Sequence, residues 1–167
     1  MGRGDLGVVP VVDLGASGRY TAPRGAMLID EDVQAQLKDE FKKLVNPVRL
    51  AVYSQTLQDP SSENTKRLVE ELGALDSRLR IESYNFVLDK EKVESGQIAR
   101  TPAVAILGEE KDFGIRMYGA LSGYEFGTLI QTILDVSQGD SGLSVPTREA
   151  LKGLSKDISI QVFSTPT

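Results

Sequence analysis

From Asp30 onward the apolar positions Val33, Leu37, Phe41 and Leu44 are spaced by four, four and three residues, the stripe of a one-faced helix. Asp30 is its expected cap, and Asn46-Pro47 ends it because the residue before a proline is driven out of the α region. Val48 to Ser54 then alternates and reads as a buried strand. A second helix is expected from Pro60 to Gly73 on Leu68, Val69 and Leu72, with Gly73 as its left-handed terminator. Leu79 to Val87 reads as the second strand and Lys90 to Ser95 as a short helix. Pro102 directly precedes an apolar run from Ala103 to Leu107. A GEEKD turn leads from it into a hairpin strand, Phe113 to Tyr118. Ser122-Gly-Tyr-Glu125 matches the S-x-x-E capping box and opens a helix that buries Phe126, Leu129, Ile130, Ile133 and Leu134. The order from Met27 is αβαβαββα.

The flanks differ from this regular middle. Residues 1–26 hold six Gly and two Pro and show no helical period, which marks a disordered or upstream extension. The regular unit spans residues 27–138 and a linker spans 139–146. In 147–167 the pattern begins again. A displacement of 110 residues lays Phe41 on Leu151, Leu44 on Leu154, Val48 on Ile158, Leu50 on Ile160, Val52 on Val162 and Tyr53 on Phe163 without a gap. One helix and one strand cannot build a core of their own, so this segment reads as the truncated start of a second unit. Its unpaired strand offers an edge through which two chains could form a homodimer.

Composition narrows the chemistry. The chain has no Cys and no His, which excludes disulfide and thiolate chemistry, Ser-His-Asp and Cys-His constellations, and His-containing zinc sites. The 19 basic and 24 acidic residues leave a net charge of −5 without a basic stripe, so nucleic acid is not an expected partner. No apolar run approaches a membrane span of about 18 residues. The Val8–Val12 run is too brief for a secretory signal. A cytoplasmic location is the expectation, with no cofactor and no metal.

Asp59-Pro-Ser-Ser62 stands where a strand feeds a helix. Capping accounts for it: Asp59 as cap, Pro60 at the first helical position, Ser61 or Ser62 on free N–H groups. An anion site there is opposed by the Asp59 charge. Gly139-Asp-Ser-Gly142 spells a protease tetrapeptide but has no His to relay protons, and it reads as linker. Glu109 to Asp112 lacks the ligand spacing of a calcium loop. Glu70 with Glu71, and Asp89 with Glu91, read as surface charge. Tyr118, Gly119, Gly123, Tyr124 and Phe126 read as core and turn residues rather than a ligand platform, and Arg3-Gly4-Asp5 as a chance adhesion tripeptide.

Taken together, the βαβ half, the proline before the third strand, the hairpin and the closing helix resemble a thioredoxin fold with an additional N-terminal helix. More narrowly, FKKLVNPVRLAVY, KDFGIRMYGALSGYEF and DISIQVFSTPT resemble the protein disulfide oxidoreductases, glutaredoxin-like proteins of two tandem thioredoxin-fold units that serve cell redox homeostasis. The N-terminal domain of the flavoprotein that reduces alkyl-hydroperoxide peroxiredoxins is a second relative of this design. The likeness covers Met27 to Thr167. It implies an α/β thioredoxin-like fold, a four-stranded mixed sheet flanked by helices, followed by the start of a second such unit. It further implies that Asp59 and Ser62 occupy the positions of the attacking and resolving cysteines of a C-x-x-C motif, so catalysis is absent here and is expected only in a second unit beyond Thr167. Thr101-Pro102 is implied to be a cis bond facing the helix entrance, where an extended polypeptide client pairs. The expectation is a redox-inactive scaffold unit. The alternatives are a stand-alone peptide-binding module and, without a supporting constellation, an enzyme built from carboxylates and Tyr.

Overall fold

The computed structural model describes residues 27–55 and 59–163. Nine elements follow one another: α1 (Glu31–Phe41), β1 (Val48–Ser54), α2 (Pro60–Gly73), β2 (Leu79–Asn85), α3 (Lys90–Ser95), β3 (Ala103–Gly108), β4 (Ile115–Tyr118), α4 (Tyr124–Gln138) and α5 (Val145–Lys152). The first eight have the order expected from the sequence. They build one four-stranded mixed sheet in the order β2-β1-β3-β4. β1 runs parallel to β2, from Val48 opposite Leu79 to Ser54 opposite Asn85. It runs antiparallel to β3, with Tyr53 opposite Ala103, and β3 forms a hairpin with β4.

Strand alternation sends side chains to two unlike faces. Val48, Leu50 and Val52 of β1 join Val104 and Ile106 of β3 under Leu68, Val69 and Leu72 of α2 and Phe126, Leu129, Ile130 and Ile133 of α4. Leu37 and Phe41 of α1 complete this core and are fully buried. Each such side chain contributes roughly 1.5–3 kcal/mol on burial, so this face dominates the stability of the domain. The opposite face holds a smaller cluster of Ala51, Tyr53, Ile98, Ala103 and Ala105, with the two-turn α3 over part of it.

Three polar clamps tie the periphery to this core. Arg78 donates from Nη1 to the Leu44 carbonyl (2.6 Å) and from Nη2 to the Phe41 carbonyl (2.8 Å), satisfying backbone acceptors at and beyond the end of α1. Asp76 holds that guanidinium at 2.6 and 2.9 Å, and the bond keeps its own carboxyl below the ordinary carboxylate range. The Ser137 hydroxyl, fully buried on α4, accepts from the N–H groups of Val45 and Asn46 and donates to the Asn46 carbonyl. Glu71 accepts from the backbone N–H groups of Leu28 and Ile29 at 2.9–3.0 Å. It is therefore a structural clamp and not the free surface charge that its pairing with Glu70 suggests.

Several local expectations are corrected. Gly73 is not a left-handed terminator: it is the last helical residue of α2, and Ala74 closes the helix in the right-handed region. A Cβ at Gly73 would collide with the Ile81 side chain, so the glycine permits close helix–sheet approach. Asp30 is the cap residue of α1, yet its side chain makes no capping bond; Gln34 N–H meets its carbonyl at 2.9 Å. Ser122 does not cap α4, because Gly123, at φ 60°, takes that position. Phe126 is core as expected, but Tyr124 is 79% exposed. β2 stops at Asn85, whose Oδ1 accepts from Val87 and Leu88 and turns the chain. β4 starts only at Ile115, after Gly114 at φ 78°.

Beyond α4, Gly139 at φ 67° ends the helix, and α5 opens at Val145, inside the expected linker, with Ser144 as cap and Pro146 in its first turn. Through Phe163 the expected strand joins no ladder; Ile158, Ile160, Val162 and Phe163 are 61–90% exposed. A strand requires a neighbour for its backbone groups, and none of the described residues provides one. Residues 164–167 and residues 1–26, with the Arg3-Gly4-Asp5 tripeptide, lie outside the described residues. Among the described residues no helix is long and apolar enough to cross a membrane.

Candidate functional site

The candidate site lies where β1 hands over to α2. Asp59 caps α2: its Oδ1 accepts from the Ser61 N–H at 3.1 Å, and its carbonyl accepts from Glu63 N–H at 3.3 Å. Pro60 starts the helix, where a missing N–H leaves no gap in the ladder. Ser62, only 1% exposed, donates its hydroxyl to Asp59 Oδ2 at 2.5 Å and accepts from Gln55 N–H at 3.4 Å. The two side chains three residues apart are therefore bonded to each other across the first turn. Ser62 shares the buried side of α2 with Thr65, whose hydroxyl is buried and has no partner among the described residues.

Sheet register brings a second segment to the same end. Because Tyr53 faces Ala103 in the antiparallel pair, continuing the register puts Ser54 beside Pro102. The Thr101–Pro102 peptide bond is cis. The Pro102 carbonyl accepts from Gly119 N–H at 2.9 Å, which ties this turn to the chain leaving β4. β1 and β4 are each antiparallel to β3, so both deliver their C-terminal ends here. Topology thus gathers Asp59 to Ser62, Thr101 and Pro102, segments more than 35 positions apart in the chain, at one end of the two central strands.

The chemistry of this end of the sheet is that of a carboxylate and hydroxyls. Disulfide exchange proceeds by thiolate attack, and a hydroxyl supplies no such nucleophile near neutral pH. Asp59 is moreover engaged in capping and Ser62 in holding Asp59 and the Gln55 N–H, so both side chains have partners without a ligand. The other polar groups singled out in the sequence are dispersed. Asp89 Oδ2 accepts from Asn85 N–H at 2.6 Å, Lys66 lies 3.8 Å from Glu70, and Asp140 pairs with Arg148. Asp112 pairs with Arg116, which holds the Asp112 carboxyl below its usual range. Among the described residues, no group of three or more Asp and Glu converges as a metal site would require.

One grouping was not legible as a site in the sequence. Arg49 and Tyr53 on β1, Glu82 and Tyr84 on β2, and Arg116 on β4 surround a cavity on the sheet face remote from α2 and α4. The only sequence signal is the alternation within Val48–Ser54, which separates Arg49, Ala51 and Tyr53 from the core set. Burial raises the pKa of the Tyr53 and Tyr84 hydroxyls, with the Glu82 hydrogen bond adding to it at Tyr84.

A four-stranded mixed sheet with helices on its main face and a turn at Pro102 opposite a helix entrance defines a thioredoxin-like fold, here with no sulfur at the entrance. Within that class the chain is similar to a protein disulfide oxidoreductase from Aeropyrum pernix, with a TM-score of 0.68 and 30% identity over 75% of this chain and 55% of that one. It shares the fold of the N-terminal domain of alkylhydroperoxide reductase AhpF from Enterococcus faecalis, with a TM-score of 0.67 and 23% identity over 76% of this chain and 61% of that one. In sequence it is 27% identical over 111 residues to an NADH dehydrogenase of Bacillus subtilis and 28% identical over 111 residues to one of Ferdinandcohnia aciditolerans. These matches take in 66% of this chain, which spans 19% of the length of either relative. No family model matches the chain.

Proposed function

We propose that this chain is a redox-inactive scaffold unit of a larger thiol-disulfide oxidoreductase, positioning a catalytic neighbour or holding a polypeptide client. One observation carries the reading: the Ser62–Asp59 hydrogen bond across the first turn of α2, in the place where the resemblance puts the two cysteines. The helix entrance keeps its architecture and its orientation toward Pro102, while the groups filling it serve as a cap. The partner is a second thioredoxin-like unit, and the cytoplasm is the compartment. The similarity of one part of this chain to about a fifth of two NADH dehydrogenases supports a role as an accessory unit beside a larger redox body.

The test is insulin reduction in the presence of dithiothreitol. The chain is expected to add nothing to the uncatalysed rate, and clear turnover would refute redox inactivity. In the double variant Asp59→Cys/Ser62→Cys the two thiols stand three residues apart at a helix N-terminus, which lowers the pKa of the first. This variant is expected to form an intraloop disulfide and to gain measurable exchange activity. If mass spectrometry finds no such disulfide under oxidising conditions, the assignment of these positions is wrong.

A second reading is a stand-alone module that binds an extended peptide beside Thr101 and Pro102. It is favoured by the exposure of Val87, Leu88 and Tyr124, at 52–79%, each on a segment that starts from the same end of the sheet. Peptide-induced amide shifts confined to residues 86–88, 99–103 and 119–124 distinguish it from a pure scaffold.

A further inference from the structure

The tetrapeptide Gly139-Asp-Ser-Gly142 has no proton relay, but its backbone and side chains are closely tied. Gly139 ends α4 at φ 67°, its N–H meeting the Asp135 and Val136 carbonyls at 3.0 and 3.1 Å. Asp140 Oδ1 accepts from the Gly142 N–H at 2.7 Å, and Gly142 again takes a φ of 67°. A Cβ on either glycine would meet open space, so it is the left-handed backbone that calls for glycine at both positions. Ser144 then caps α5, its Oγ accepting from Thr147 N–H at 3.4 Å and lying 2.8 Å from the Thr147 hydroxyl.

Arg148 closes this turn. From the first turn of α5 its Nη1 reaches back to Asp140 Oδ2 at 3.1 Å and its Nη2 to Asp140 Oδ1, while its Nε donates to the Leu143 carbonyl at 2.7 Å. An isolated exposed ion pair holds little. This one is bidentate, and each partner also holds a backbone group of the same turn, which fixes direction as well as proximity. Packing does not set that direction, because no residue of α5 is buried, and Leu151 and Leu154 stay 48% and 51% exposed. α4, by contrast, is fixed to the domain up to its last turn by its buried face and by the Ser137 clamp.

We propose that residues 139–148 form a polar elbow in which the Asp140–Arg148 pair sets the angle between α4 and α5, and with it the direction in which the chain leaves the thioredoxin-like unit. The elbow gives a scaffold the means to aim its neighbour. What is aimed rests on the scaffold reading; the elbow itself does not.

The chain has no Cys, so two introduced thiols take spin labels without interference. Gln131→Cys on α4 and Ala150→Cys on α5, both at exposed positions, report the angle by pulsed electron–electron double resonance on the full chain. One narrow distance distribution is expected for this labelled parent. Arg148→Met and Asp140→Ala should each widen it by several ångströms, because the four residues 140–143, released as a flexible linker, have a root-mean-square span of about 11 Å. Both variants keep the core, to which α5 contributes no residue. Glu149→Gln, which removes the neighbouring pair with Lys152 at 2.8 Å, should leave the distribution unchanged. A parent as broad as the variants, variants as narrow as the parent, or equal widening by Glu149→Gln would each overturn the proposal. Any of these leaves redox inactivity standing, whereas insulin reduction by the chain would refute redox inactivity without touching the elbow.

Discussion

Replacing Ser137 by Ala isolates a single clamp. The hydroxyl accepts from Val45 N–H at 2.9 Å and Asn46 N–H at 3.0 Å and donates to the Asn46 carbonyl at 2.6 Å. Alanine fills nearly the same space, so no sizeable cavity adds to the loss. Three bonds at about 1 kcal/mol each give roughly 3 kcal/mol. The higher helix propensity of Ala returns about 0.5 kcal/mol, which leaves a net destabilisation of about 2.5 kcal/mol. For a domain of this size that lowers the Tm by roughly 10 °C. Urea denaturation followed by far-UV circular dichroism measures it, with an unchanged slope showing that the native fold is retained. Asn46→Ala is the comparison, because the Asn46 Nδ2 bond to the Ser137 carbonyl is one neutral contact and its loss is expected to cost only about 1 kcal/mol. Equal losses for the two variants, or a Ser137→Ala loss below about 1 kcal/mol, would refute the idea that the hydroxyl organises the α1–β1 connection.

Gly73→Ala reverses the usual helix preference. Ala is favoured over Gly by about 1 kcal/mol within a helix, but the added Cβ meets the Ile81 side chain, and a net loss of about 1–3 kcal/mol is expected by thermal denaturation. The double variant with Ile81→Ala should lose no more than Ile81→Ala alone; an additive loss rejects steric conflict as the cause. Arg78→Met tests the pH dependence of the clamp at Asp76. The folded-state pKa of Asp76 is depressed, chiefly by its hydrogen bond to Arg78. Its contribution is therefore complete above the unfolded-state value near 4 and is lost as pH falls through the lowered folded-state value. In urea titrations across pH 2–6, Arg78→Met should be less stable at neutral pH and less sensitive to acid than the parent. Parallel curves for the two proteins would exclude the coupling.

Within residues 27–138 the periodic signals translated directly into elements, because a helix stripe or an alternating strand records which face each residue must bury. Val33, Leu37 and Phe41, or Val48, Leu50 and Val52, carry that record within a few residues. The absence of Cys and His likewise restricted the chemistry before any geometry was considered. Asp59 and Pro60 were legible as a helix start because capping is local.

Residues whose roles depend on distant neighbours were not legible. Gly73 resembles a terminator until Ile81 is seen against it, and Glu71 resembles surface charge until Leu28 and Ile29 lie within its reach. Ser122 had the spacing of a cap, but the positive φ of Gly123 moves the helix start past it. The order of the first eight elements, their buried faces and the lack of a thiol could be read from the residues alone, since these depend on composition and short-range periodicity. That Pro102 returns to the α2 entrance, and that Arg49, Glu82 and Arg116 gather on the sheet face opposite the main core, emerges from the assembled sheet alone. Both follow from strand register, a property of pairs of segments far apart in the chain, which no single segment encodes.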